Sequence, residues 1–272
     1  VGAVPLQVGP AVLLDDETVR IGLLLQPVER LRGRVAKHPL VAARGDHVGV
    51  VAPAAVAAEA YVLEIGEREA VATASDPRGE RYARVTFDQL RALGGGKVPC
   101  GRIVDWPRLR WRGYLNDCGR NYLDRTGVKA ILDVMALYKL NLFHWHLTDY
   151  HGWRLESKRY PGLQSEAAFY GRQVGRYYTQ DDFREIVSYA AAHGITVMPE
   201  LDVPGHTLAL RKGLGVATMA DPGVKEKVTE LFVELCSLAD AETMPFIHLG
   251  TDEIRQCTVP LEWYRLWGER VV

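Results

Sequence analysis

Residues 245–254 read PFIHLGTDEI. The first half is apolar and partly β-branched, the pattern of a short buried strand, and Gly250 closes it. Thr251, Asp252 and Glu253 then stand just past the strand's C-terminal end. Two adjacent carboxylates at that place have two readings. Either Asp252 caps a following helix and Glu253 is merely solvated, or both acids face a site at the strand ends. The rest of the chain decides between them.

Working outward from that stretch, strands alternate with helices. Residues 223–239 are predicted as the helix before it. Ile195–Leu201 is a predicted strand, preceded by a helix that Thr179 caps and that ends at His193 and Gly194. Leu140–Leu147 is another strand, and Thr126 caps the helix before it, which runs to Tyr138 with Ile131, Val134, Met135 and Tyr138 on its apolar face. Trp111–Leu115 opens the series. This alternation predicts an α/β fold with a parallel sheet and right-handed crossovers. Successive units of this kind point to a (β/α)8 TIM-type barrel, of which the chain supplies about the first four units.

Polar residues collect behind each strand. Asn116, Asp117 and Arg120 follow the first. His144 and His146 lie on the second, with Thr148, Asp149, His151 and Trp153 after it. Glu200 and Asp202 end the third, with His206 just beyond, and Asp252 and Glu253 follow the fourth. Clusters repeated at one end of a sheet are what an active site requires. His144 and His146 are two apart on a strand and share a face. One reading is a metal-dependent barrel hydrolase using His144, His146, His206 and Asp252; the other is histidines hydrogen-bonded in the barrel wall. Arg120 and Arg154 are ligand forks or salt-bridge partners, and Trp153 is a stacking platform or core.

Residues 1–100 have a different pattern. Leu23–Val28, Val48–Ala52 and Tyr61–Ile65 are predicted strands, Asp76–Gly79 a turn, and 80–93 an amphipathic helix closed by Gly94, Gly95 and Gly96. The chain therefore divides into a small α+β domain over 1–100 and a barrel domain over 101–272 that stops after its fourth strand. No helix starts after the glycine triplet and Pro99 follows it, which argues against a phosphate loop.

A net charge of −1 over 272 residues gives no electrostatic case for nucleic acid. No apolar run approaches the roughly 20 residues of a membrane span. Cys100, Cys118, Cys236 and Cys257 are too irregularly spaced for a metal finger or a disulfide framework, so buried free thiols are expected. The chain begins at Val1 with no signal peptide visible, which leaves its compartment open.

Longer motifs carry a resemblance. The runs RGYLNDCGRNY (112–122), LYKLNLFHWHLTDYHGWRLESKRYPGL (137–163), YYTQDDFREIVSYAAAHGITVMPELDVPGH (177–206) and IHLGTDE (247–253) resemble, in order and spacing, the family 20 glycoside hydrolases, the β-N-acetylhexosaminidases. The likeness spans about residues 100–260, and the first hundred residues resemble the α+β domain that precedes the family's barrel. It implies removal of a terminal β-linked N-acetylglucosamine or N-acetylgalactosamine with retention, the substrate's own 2-acetamido oxygen acting as nucleophile through an oxazolinium. It implies Glu253 as general acid, Asp252 as the group that holds the acetamide, and Arg120 as a fork onto sugar hydroxyls. Asp149 and His206 are implied as a pair supporting the acid.

The resemblance implies no metal and no other cofactor. The partner it implies is a glycan or glycoconjugate bearing a terminal N-acetylhexosamine, and its compartments are secreted, periplasmic or lysosome-like. The chain departs from the family at Asn121, where histidine is common, and at Tyr150, where a second acid is common. Only residues 260–272 follow the fourth strand, so the tyrosine and tryptophans that later strands bring to the family's sugar pocket have no counterparts here. Uncovered parallel edges of a half-barrel imply self-association. The alternative from another class is a relative that binds sugar without cleaving it.

Overall fold

The computed structural model describes residues 57–253, together with the backbone of Ala11–Leu13 and Val19–Leu23. The chain divides into two compact units, Val1–Arg110 and Trp111–Val272.

The first unit contains β1 (Ala11–Leu13), β2 (Val19–Leu23), β3 (Tyr61–Ile65), β4 (Ala70–Ala74), α1 (Pro77–Leu93), β5 (Lys97–Pro99) and β6 (Gly101–Asp105). One sheet has the order β2-β4-β3-β6, with β2 parallel to β4 and the other neighbours antiparallel. β1 and β5 form a separate antiparallel pair. Alternate residues Tyr61, Leu63 and Ile65 of β3 and Ala70, Ala72 and Ala74 of β4 bury one face of the sheet in a core with Tyr82, Ala83 and Phe87 of α1. The expected turn at Asp76–Gly79 is instead the start of that helix. The Asp76 side chain accepts the Gly79 N–H at 2.9 Å and Pro77 occupies the first helical position, where its missing N–H costs nothing. Apart from Leu23, which ends β2, the strands expected at Leu23–Val28 and Val48–Ala52 lie outside the described residues.

The second unit contains β7 (Gly113–Asp117), α2 (Arg125–Leu137), β8 (Leu142–Asp149), β9 (Gly152–Trp153), α3 (Gln180–Ala192), β10 (Thr196–Leu201), α4 (Leu208–Leu214) and α5 (Val224–Cys236). Its parallel strands have the order β10-β8-β7, and β9 folds back on β8. α3 starts with the capping box that Thr179 predicts, closed by Asp182. The cap of α2 is Asp124 rather than Thr126. Its buried stripe is Val128, Leu132 and Met135, while Val134 and Tyr138 of the expected face are exposed. α2 is apolar around more of its circumference than one stripe, and the unit's core takes only one side of it.

Strand alternation on β8 does the rest. Phe143, Trp145 and Leu147 point into the core, where Trp145 stacks on Phe183 of α3 with ring centroids 5.4 Å apart. His144 and His146 therefore face the other side.

The stretch 246–249 is not the full fourth strand that its pattern predicts. It runs alongside β10 and makes a single parallel bridge, His248 to Glu200. The His248 N–H donates to the Pro199 carbonyl at 2.9 Å, and the Leu201 and Val203 N–H groups donate to His248 and Leu249 at 3.3 and 3.1 Å. Pro199 has no N–H to give, and the Leu201 and Val203 N–H groups meet successive rather than alternate carbonyls, so the regular ladder stops there. The sheet is thus a partial, unclosed, barrel-like α/β layer rather than a complete (β/α)8 barrel.

Candidate active site

All five residues singled out for catalysis or binding meet beyond the C-terminal ends of β7, β8 and β10. Asp117 ends β7 and accepts from the Arg120 backbone N–H at 2.9 Å and from its Nη1 at 2.6 Å. The other arm of the Arg120 fork reaches Asp149 Oδ2 at 2.9 Å. Asp149 ends β8, is buried, and accepts the Tyr150 N–H at 2.6 Å. His206 follows the cis Val203–Pro204 peptide and has a φ of 49°. Its Nδ1 lies 3.7 Å from Asp149 Oδ1, and its Nε2 lies 3.6 Å from Asp252 Oδ2 and 3.5 Å from Glu253 Oε2. His206 thus stands between a buried acid and two acids open to solvent.

Two glycines make this approach feasible. At Gly250, φ is 72° and an added Cβ would fall 1.8 Å from Asp202 Oδ1. At Gly205 it would fall 2.5 Å from the Asp252 carbonyl oxygen. The backbone of the acid pair therefore lies directly on the loop after β10.

The charges around Asp149 are strongly ordered. Burial alone would raise the Asp149 carboxyl, but the hydrogen bonds of His146 and the Tyr150 N–H, with the charge of Arg120, hold it below the usual carboxylate range. Burial also opposes charge on His146, yet Asp149 and Glu200 together push that imidazole up to about 10. Glu200 is driven well below its ordinary value, because bonds from His144 and His146 outweigh its own burial. Asp202 goes the other way. Burial, then the negative charges of Asp252 and Glu200, push it up to about 7. Asp202 Oδ1 accepts the Thr251 N–H at 3.2 Å, while its Oδ2 is buried without a hydrogen-bond partner.

Glu200 is the residue that sequence reasoning undervalued. It was visible as a polar strand end, but its partners were not. His144 Nε2 lies 2.5 Å and His146 Nδ1 2.9 Å from Oε2, and His248 Nδ1 lies 3.2 Å from Oε1. A same-face histidine pair opposite a strand-end glutamate was the available signal. The four residues of the metal-hydrolase reading do not gather at one point. Among the described residues, His144 groups with Glu200 and His248, His146 with Asp149 and Asp202, and His206 with Asp202 and Asp252. Among the described residues Arg154 has no carboxylate partner: fully buried, it donates to the carbonyls of Cys118, Gly119, Arg172, Gln173 and Arg176. Trp153 is core, its Nε1 donating to the Leu155 carbonyl.

Comparison with known proteins finds relatives over both units. Residues 109–259 match the profile of the glycosyl hydrolase family 20 catalytic domain, and residues 17–106 that of domain 2 of the same family. A beta-hexosaminidase of Vibrio furnissii is 33% identical over 231 residues, covering 72% of this chain and 37% of that protein. One from Akkermansia muciniphila is 39% identical over 161 residues, covering 56% and 33%. The crystal structure of a family 20 exo β-N-acetylglucosaminidase from Vibrio harveyi, in complex with N-acetylglucosamine, matches with a TM-score of 0.73 at 27% identity, covering 92% of this chain and 46% of that one. The chain spans less than half the length of these relatives. The catalytic-domain profile alone takes in more than half of this chain, with domain 2 ahead of it, and the chain belongs to glycosyl hydrolase family 20.

Proposed function

We propose that the chain carries the acid and acetamide-binding part of a β-N-acetylhexosaminidase site, which removes terminal β-linked N-acetylglucosamine or N-acetylgalactosamine from glycans by a retaining, substrate-assisted route. The observation that carries this reading is His206, set between buried Asp149 and the adjacent Asp252 and Glu253 at 3.5 to 3.7 Å. Glu253 gives its proton to the glycosidic oxygen while the 2-acetamido oxygen attacks the anomeric carbon. Asp252 accepts the acetamide N–H, which aims that oxygen and stabilises the charge of the oxazolinium. Glu253 then takes a proton from water as the ring opens. Arg120, held rigid by Asp117 and Asp149, offers paired N–H groups to vicinal hydroxyls. The Glu253 side chain is 68% exposed, so an incoming glycan can reach it.

The test is leaving-group dependence in a form that carries the complete barrel. Glu253→Gln lowers turnover by about 10² or more on an alkyl or sugar leaving group, as loss of a general acid does. On nitrophenyl substrates, whose leaving group needs little protonation, the loss shrinks. Equal losses on both would remove Glu253 from the acid's role.

A further inference from the structure

One row of side chains crosses the sheet beneath the acids. Asp117 of β7 is in register with His146 of β8, and His146 with Glu200 of β10. Both ring nitrogens of His146 meet carboxylates: Nδ1 lies 2.9 Å from Glu200 Oε2 and Nε2 lies 3.1 Å from Asp149 Oδ2. A neutral imidazole has one N–H and could donate to only one of them, leaving a lone pair facing a carboxylate at the other. We propose that His146 is a positioning residue for the proposed reaction: a doubly protonated imidazolium clamped between Glu200 and Asp149, which holds Asp149 as the anion that His206 leans on. The inference rests on the reading of Asp149 and His206 given above.

The surroundings support it from every strand. Asp117 Oδ1 of β7 stands 4.0 Å from Nε2, Glu200 and Asp202 face the ring from the end of β10, and Asp149 lies on its own strand. The nearby arginine is already engaged: Arg120 is bound to Asp117 and Asp149. His144 Nε2 shares Glu200 Oε2. Among the described residues, no lysine or arginine is paired with Glu200; His144, His146 and His248 lie against it, and of these His146 turns its second ring nitrogen to Asp149. The order is then Glu200 negative, His146 positive, Asp149 negative and, half-exposed at the end, Arg120 positive. With His146 and Arg120 both on Oδ2, Asp149 keeps Oδ1 for the Tyr150 N–H and for His206.

The first test needs no activity. With ¹⁵N-labelled histidine in this chain, NMR at pH 8 finds both nitrogens of His146 protonated, and Glu200→Gln lowers its titration midpoint by more than about one pH unit. A neutral His146 at pH 8 in the unaltered protein overturns the inference. The second test uses a form with the complete barrel and a nitrophenyl N-acetylglucosaminide. His146→Gln and Glu200→Gln lower kcat by about 10-fold with KM changed less than about 2-fold. His146→Gln also moves the acidic limb of kcat/KM to higher pH, because Asp149 without a charged donor protonates more readily. A kcat that falls only with the folded fraction, the limb unmoved, would make the residue merely structural. If the unaltered enzyme cleaves no hexosaminide, the proposed function fails, and the NMR result still decides the clamp.

Discussion

Asp202 is the acid moved furthest toward its neutral form, and that fixes a pH dependence. A buried carboxyl with two acids nearby gains a proton relative to the unfolded chain, in which it titrates near its ordinary value of 3.8. Between about pH 4 and 7 the folded protein therefore binds a proton that the unfolded chain has released. Stability from this group is lost as pH rises through that window and stays lost above it. Asp202→Asn keeps an oxygen for the Thr251 N–H and removes the charge, so it stabilises the protein at pH 8 by about 1 to 3 kcal/mol and changes little at pH 4. Urea unfolding at the two pH values checks this; an equal effect at both would show that the benefit is not electrostatic. At this scale the long motifs point to Asp149, His206, Asp252 and Glu253, and the structure sets the three acids 3.5 to 3.7 Å from His206. Glu200 and His146 were seen but not joined, because their contact depends on the register of β10 against β8, and no local pattern encodes register between strands separated by a helix.

Elements were legible where capping chemistry and periodicity agree, as at Thr179 and α3, and misread where the same residues serve two motifs. Asp-Pro-Arg-Gly suits a turn as well as a helix start, and only the Asp76 bond to Gly79 separates them. Arg154 shows what a residue pattern cannot reveal about a loop. Its guanidinium sits where the β9 hairpin, the turn at Cys118 and Gly119, and the segment 172–176 converge, and it satisfies backbone carbonyls from each. Burial lowers its affinity for a proton, so the charge is retained by those carbonyl dipoles rather than by a carboxylate partner. A lysine cannot reproduce a planar fork with donors in several directions. Arg154→Lys thus leaves buried carbonyls unpaired and costs about 2 to 4 kcal/mol of stability in denaturant titration. A loss below about 0.5 kcal/mol would mean that water replaces the fork without penalty.

On the scale of the molecule, the parallel sheet ends where its pairing stops. Among the described residues, β7 pairs only with β8, and the segment beside β10 contributes a single bridge. Apolar side chains lie open in this unit: Tyr114 and Leu115 on β7 are 44% and 49% exposed, and Val134 and Tyr138, on and just after α2, are 56% and 70% exposed. In a closed barrel a neighbouring strand and helix cover such positions, and the match to this chain takes in only 37% and 46% of two relatives. An unpaired strand beside exposed apolar side chains is a template for association. The 272-residue chain is therefore expected to self-associate at concentrations of tens of micromolar, seen as a mass above the monomer in light scattering. Leu115→Glu combined with Val134→Glu places charge on both elements and returns the monomer, whereas the same charges on the exposed side of α3 do not. The associating chain should also turn over hexosaminides slowly, because among the described residues the segment that carries Asp252 and Glu253 pairs only with β10, and displacing such groups by about 1 Å costs roughly 10²-fold. A compact monomer with the turnover of a full-length relative would show that the open edge is covered and that the acids are already held in place.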